Sequence, residues 1–217
     1  VGSNTNITII GDNHYNAGGF VGYLEVNQDT AMRISSCSVL GDITTGVVGG
    51  FICNGYAHGE LLIENCYTDC EITGYSRAAG FLKTYRGGEN NCIIRNCYSL
   101  SNIKTHNMFD AEIIGGEAWG FGYQLSNVEI INCYALGNIN SYRGGGFAWY
   151  LNRCRLECCY SYCSITIVES TYSVFIYALS YTEVKNCYSH DIINLGSEID
   201  LNTFVVIKRL ADSQINN

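Results

Sequence analysis

The stretch Ile94-Arg95-Asn96-Cys97-Tyr98-Ser99-Leu100-Ser101-Asn102-Ile103 decides how this chain is read, because it is one of six copies. The copies centre on Cys37, Cys66, Cys97, Cys133, Cys159 and Cys187. Three places before each centre stands an aliphatic residue: Ile34, Ile63, Ile94, Ile130, Leu156 and Val184. Six places after it stands isoleucine: Ile43, Ile72, Ile103, Ile139, Ile165 and Ile193. A column of isoleucines at one constant offset, recurring every 26 to 36 residues, is the mark of a solenoid or a propeller.

A second column alternates with the first. Phenylalanine recurs at Phe20, Phe51, Phe81, Phe121, Phe147, Phe175 and Phe204, and the first five follow Gly19, Gly50, Gly80, Gly120 and Gly146. Between each Cys and its Ile the residues alternate. Even offsets carry small or apolar side chains, such as Ser99, Ser101 and Ile103, with Asp191 the exception in the last copy. Odd offsets are larger or more polar. A period of two means a strand, with the even set facing inward. That parity breaks just upstream, where Ile at −3 and Cys both need to face inward. Asn65, Asn96, Asn132 and Asn186 stand between them, and Asn adopts left-handed backbone conformations at little cost. A bend at each Asn resolves the conflict, and stacked Asn side chains then bond from rung to rung.

Each repeat therefore holds three short strands: Gly-Phe-aliphatic, the segment ending at Ile(−3), and the run from Cys to Ile. Spacings as short as 26 are too tight for a four-stranded propeller blade. The expected fold is all-β, a right-handed parallel β-solenoid of about seven rungs. Residues 1–207 form one domain, and residues 208–217 leave the pattern as a tail or cap. Ile9 or Ile10 is expected to stand in the isoleucine column of a partial first rung. Phe20 to Cys37 spans 17 residues, whereas the last three Phe–Cys intervals span 12, so the early rungs carry longer loops. The largest insertion lies between Ile103 and Phe121.

The Gly-Phe-Val-Gly at 19–22 and the Asn-Cys-Tyr runs at 65–67, 96–98, 132–134 and 186–188 resemble the GLUG-type repeat of large bacterial surface proteins. These include adhesins and the repeat regions beside some IgA-specific metallopeptidases. The resemblance covers roughly residues 6–207. It departs at Ser38, where Tyr is missing, and at Val174 and Thr203, where Gly is missing. It implies an extracellular or cell-surface bacterial module.

Composition narrows the function. A net charge of −8 argues against nucleic acid, whose binding rests on cationic contacts to phosphate. No apolar run reaches the roughly 18 residues of a membrane helix, and no membrane insertion is expected. The absence of an initiator Met reads as a mature product or an excised segment. The chain has 12 cysteines but no Cys-x-x-Cys, so neither zinc nor a disulfide framework is indicated for the six centres. They are expected to form a reduced column of small buried hydrophobes. The disulfide state of Cys53, Cys70, Cys92, Cys154, Cys158 and Cys163 stays open.

No catalytic motif, metal-ligand spacing or cofactor loop is present. Asp69 and Glu71 point out of one strand, with Asp42 a rung away; this patch is the basis of a runner-up reading, a carbohydrate-active β-helix enzyme. The tyrosines at +1, Tyr67, Tyr98, Tyr134, Tyr160 and Tyr188, are expected to form an outward ladder. Such a ladder offers a binding surface to a glycan or a host or cell-surface protein, or serves as stabilisation between rungs. The leading expectation is a non-catalytic structural and adhesive module. It would act as stalk, surface-binding domain or filament subunit, joining end to end.

Overall fold

The computed structural model describes residues 2–4, 7–8, 15–88, 92–107, 110–168, 172–195, 207–211 and 214–216. Among them every regular element is a strand, and apart from one antiparallel pair the strands stack in parallel as a β-solenoid. The second sheet holds Val21–Val26, Ile52–Ala57, Leu82–Gly87, Gly122–Ser126, Ala148–Asn152, Ile176–Ser180 and Ile207–Ala211. The third holds Ala31–Ser35, Glu60–Glu64, Cys92–Arg95, Glu129–Ile131, Arg155–Glu157, Glu183–Lys185 and Gln214–Asn216. The first carries the Cys-to-Ile runs, including Ser38–Gly49, Tyr67–Ala79, Tyr134–Ser141 and Tyr160–Ile167.

The register repeats the sequence columns. Ile43 pairs with Ile72, Ile72 with Ile103, Ile103 with Ile139, Ile139 with Ile165 and Ile165 with Ile193. Ile43, Ile72, Ile103, Ile139 and Ile165 are buried in one continuous core; Ile193 is partly buried against it. Cys66, Cys97, Cys133 and Cys159 are fully buried, and Cys37 and Cys187 partly so at the two end rungs. All 12 cysteines are free. Phe51, Phe81, Phe121, Phe147 and Phe175 are buried, stacked at 4.8 to 5.1 Å, and Phe20 extends the column to an exposed position at 4.7 Å.

Three corners close each turn. At the first, Asn65, Asn96, Asn132 and Asn186 have φ of 51 to 53°, and Ser36 and Cys158 take the same conformation. The left-handed residue reverses the facing of the chain, so the aliphatic at −3 and the Cys both turn inward. The Asn side chains link rungs: Asn96 donates to Asn65 at 3.2 Å and Asn132 to Asn96 at 2.8 Å. At the Gly-Phe corner the rungs approach too closely for a side chain. A Cβ on Gly50, Gly80 or Gly120 would lie 1.9 to 2.1 Å from the carbonyl oxygen of the next glycine.

The remaining corner has no counterpart among the sequence expectations. Asn127, Arg153 and Tyr181 have φ of 53, 53 and 49° and join the second sheet directly to the third. Leu125-Ser126-Asn127-Val128, Leu151-Asn152-Arg153-Cys154 and Leu179-Ser180-Tyr181-Thr182 each place an inward aliphatic, a left-handed residue and a small buried residue in sequence. The geometry copies the Asn-Cys corner. Cys154 N–H donates to Thr182 Oγ1 at 3.3 Å, as Cys159 N–H donates to Cys187 Sγ at 3.3 Å. One-residue corners account for the 12-residue Phe–Cys intervals.

Asp191, the polar exception in the inward set, is buried. It accepts from Ser161 Oγ at 2.7 Å, Ser189 Oγ at 2.8 Å and Cys163 N–H at 2.5 Å. Burial raises its pKa, and these hydrogen bonds oppose the rise.

Two expectations need correction. The register sets Ile7 opposite Ile43, so Ile7 stands in the isoleucine column in place of Ile9 or Ile10. Residues 208–217 do not leave the pattern in their described part. Ile207–Ala211 and Gln214–Asn216 pair in parallel with Ile176–Ser180 and Glu183–Lys185, because Leu210 and Ile215 fall in register with Leu179 and Val184. The insertion after Ile103 is a hairpin, with Asn102–Asn107 pairing antiparallel to Asp110–Ile114. The Phe204 expectation lies outside the described residues; the register sets Ile207 opposite Ile176.

Candidate functional site: the tyrosine ladder

The +1 tyrosines lie on the outer side of the first sheet, opposite one another in register. Alternation along the strand turns them away from the core that Cys and the +2 residues enter. Tyr67–Tyr98, Tyr98–Tyr134, Tyr134–Tyr160 and Tyr160–Tyr188 stack at 5.0, 4.7, 4.8 and 5.1 Å, with interplanar angles of 10° or less. The rung spacing of a parallel sheet imposes this distance, and the in-register strands leave the ring planes nearly parallel. Four rings are half-buried and Tyr188 is exposed. Partial burial raises the pKa of Tyr98, Tyr134 and Tyr160, and neighbouring tyrosines add to the effect. These three rings stay neutral across the physiological range.

The Asn ladder of 65, 96 and 132 flanks the tyrosines on one side. Beyond it, on the third sheet, Glu64 takes two guanidinium groups. Arg95 Nη2 and Nε lie 2.7 and 2.9 Å from Oε2, and Arg33 Nε lies 2.6 Å from Oε1. The two arginines cover Glu64, which is 3% exposed although it points outward. Their hydrogen bonds, Arg95 first, hold its carboxyl below the usual range.

The carboxylates of the runner-up reading share a face without forming a common cleft. Asp42 and Glu71 are in register on adjacent rungs. Glu71 accepts from Asn102 Nδ2 at 2.6 Å, and Asn102 Oδ1 in turn accepts from Asn138 Nδ2 at 2.9 Å. The shallow cleft here, about 350 Å³, is lined by Glu71 together with Asn102, Asn138, Asn140 and Lys104. A second cleft, of about 420 Å³, sits at the Asn127–Arg153–Tyr181 corner. There Arg155 lies 3.9, 2.7 and 3.8 Å from Glu129, Glu157 and Glu183, so its charges are met internally.

Among the described residues no three His, Cys, Asp or Glu side chains are placed to hold a metal ion. Four of the buried thiols, Cys53, Cys70, Cys133 and Cys154, keep their protons. Burial pushes Cys154 up to about 12 and Cys53 and Cys70 up to about 11, and it raises Cys133 well above the ordinary range.

Sequence reasoning missed a second aromatic group, around Trp119, Tyr123, Trp149 and Tyr177, on the outside of the Gly-Phe corner. Its signal was present: Tyr123, Trp149 and Tyr177 each stand two places after the corner phenylalanine. Compared with known proteins, the chain matches no family model, no curated protein and no solved structure.

Proposed function

We propose that this chain is a non-catalytic structural and adhesive β-solenoid module of an extracellular or cell-surface protein. It presents the tyrosine ladder to a glycan or to a host or cell-surface protein. The reading places it with the GLUG-type repeat regions of bacterial surface proteins, and gives it no nucleic-acid partner and no membrane insertion. The observation that carries it is the row of five tyrosines stacked at 4.7 to 5.1 Å on a sheet whose opposite face is the core. The ladder presents ring edges and hydroxyls, and aromatic side chains of this kind are enriched at recognition surfaces. A rigid sheet holds them with little entropy left to lose on binding.

The test combines a glycan array and a cell-binding assay with measurement of released sugar. The expected result is saturable binding without product. Tyr98→Ala combined with Tyr134→Ala should abolish that binding and leave the solenoid's circular dichroism unchanged. Cleaved glycan would favour the enzyme reading, and undiminished binding by the double variant would remove the ladder from the function.

A further inference from the structure

One cation stands where the fold gives it no counter-ion. Lys83, two places after Phe81, shares a column on the outer side of the Gly-Phe corner with Cys53, Tyr123 and Trp149, each two places after its own phenylalanine. The register sets Leu82 and Thr84 against Ile52 and Asn54 on one neighbouring rung, and Leu82 and Thr84 against Gly122 and Gln124 on the other. Lys83 therefore lies level with Cys53 on one side and Tyr123 on the other. Both neighbours are buried, and between them the Lys83 side chain is half-buried.

Neither neighbour supplies a negative charge. Cys53 donates its thiol to the Val47 carbonyl at 3.8 Å, and burial pushes that thiol up to about 11. Burial also raises the Tyr123 phenol, whose hydroxyl donates to Glu117. The Glu117 carboxylate is engaged by that hydroxyl and by Arg77, whose Nε lies 3.7 Å away. Among the described residues, the hydrogen-bond acceptor of Lys83 Nζ is Asn54 Oδ1, which is neutral and 3.5 Å away, longer than an ordinary N–H···O bond. The charged side chain that acts on Lys83 is Arg77, another cation. Burial lowers the Lys83 pKa; a Cys53 thiolate would oppose this, but the thiol is protonated, and Arg77 adds to the lowering. Elsewhere on the chain, Lys104 is exposed and Lys185 lies 2.7 Å from Glu183.

We propose that Lys83 is a nucleophilic amine that captures an aldehyde as a Schiff base. A lysine becomes a nucleophile when it is desolvated or set beside another cation, and this one is both. The neutral amine adds to the aldehyde carbon, forming the C–N bond. The carbonyl π pair moves to oxygen, which takes the proton that nitrogen releases. The carbinolamine then loses water and leaves the C=N bond, so one amine and one aldehyde give one imine and one water. Asn54 Oδ1 is placed to hold an N–H of the amine, and Cys53 and Tyr123 wall off the stem. The site is separate from the tyrosine ladder and does not depend on the role proposed for it.

The test uses the whole protein at pH 7 with sodium cyanoborohydride, which reduces any imine to a stable secondary amine. The two probes are glyceraldehyde, for a sugar aldehyde, and benzaldehyde, for an aromatic one. Peptide mapping by mass spectrometry counts the adduct at each lysine. With at least one probe, Lys83 should react about tenfold faster than Lys104, and the faster probe names the source of the aldehyde. The preference should vanish in urea-unfolded protein. The pH at which the Lys83 rate reaches half its maximum should lie below its value in unfolded protein, and Arg77→Gln should move it upward. Arg77 is half exposed, so its replacement leaves the fold intact; an unchanged urea midpoint confirms that. The proposal is overturned if Lys83 reacts no faster than Lys104 with either probe, if the preference survives unfolding, or if the pH profile of Arg77→Gln coincides with that of the parent.

Discussion

The inward and outward positions of one strand differ in what their side chains touch. Ile103 is buried between Ile72 and Ile139, so Ile103→Ala empties a space that the rungs above and below cannot fill; the expected loss is roughly 2–5 kcal/mol. Its neighbour Asn102 faces outward and bonds Glu71 and the backbone N–H of Asn138, so Asn102→Ala should lose about 0.5–1.5 kcal/mol. Urea melts of the two variants measure the difference, and equal losses would contradict the alternation. The cysteines divide the same way. Cys158 is exposed at a corner, whereas Cys66, Cys97, Cys133 and Cys159 are sealed in the core. Brief alkylation of the native protein should label Cys158 ahead of these four, and all four should label only after unfolding. A disulfide between any two of them would contradict the free column.

At the scale of the element, stability rests on contacts that run between rungs. Glu64 joins three successive strands of the third sheet through Arg33 and Arg95. Because its folded pKa is lowered, by the hydrogen bond from Arg95 and then that from Arg33, its stabilisation is present above the ordinary glutamate value. It is lost as pH falls through the lowered folded value. Glu64→Gln should therefore unfold at lower urea than the parent at pH 7, and the gap should close in acid. A gap independent of pH would mean that packing, and not charge, holds these strands. The corners act at the same scale: one left-handed residue at Asn132 or Asn127 turns the chain from one sheet to the next without a loop.

For the molecule as a whole, each sheet has edges. Among the described residues, one edge of the second and third sheets is formed by Val21–Val26 and Ala31–Ser35, the other by Ile207–Ala211 and Gln214–Asn216. Apolar side chains are exposed near both: Phe20, Tyr23 and Met32 at one, Ile215 at the other. Strands at such edges present unpaired backbone groups, and a parallel rung from a second copy satisfies them while continuing the columns. End-to-end association is the expected behaviour of this chain at high concentration. Light scattering at rising concentration checks it, and a species that stays monomeric throughout would refute it. Met32→Glu, which puts a charge on an exposed apolar position of the edge strand, should lower the tendency to associate.

The repeat, the strand period and the inward columns were legible in the sequence because they are local: period two and a constant offset survive wherever the chain goes. Asn96 before Cys97 announced a left-handed corner for the same reason, since backbone preference belongs to the residue. The corner at Asn127, Arg153 and Tyr181 was hidden because Arg and Tyr have no such preference; packing of Leu151 and Leu179 on one side and Cys154 and Thr182 on the other imposes it. The tyrosine ladder followed from offsets alone, whereas the Trp119–Tyr123–Trp149–Tyr177 group depends on the angle at which two sheets meet. Register decided the rest. Ile7 and Leu210 join their columns through hydrogen bonding to the neighbouring rung, a pairing between residues some thirty positions apart in the chain that no single stretch of sequence contains.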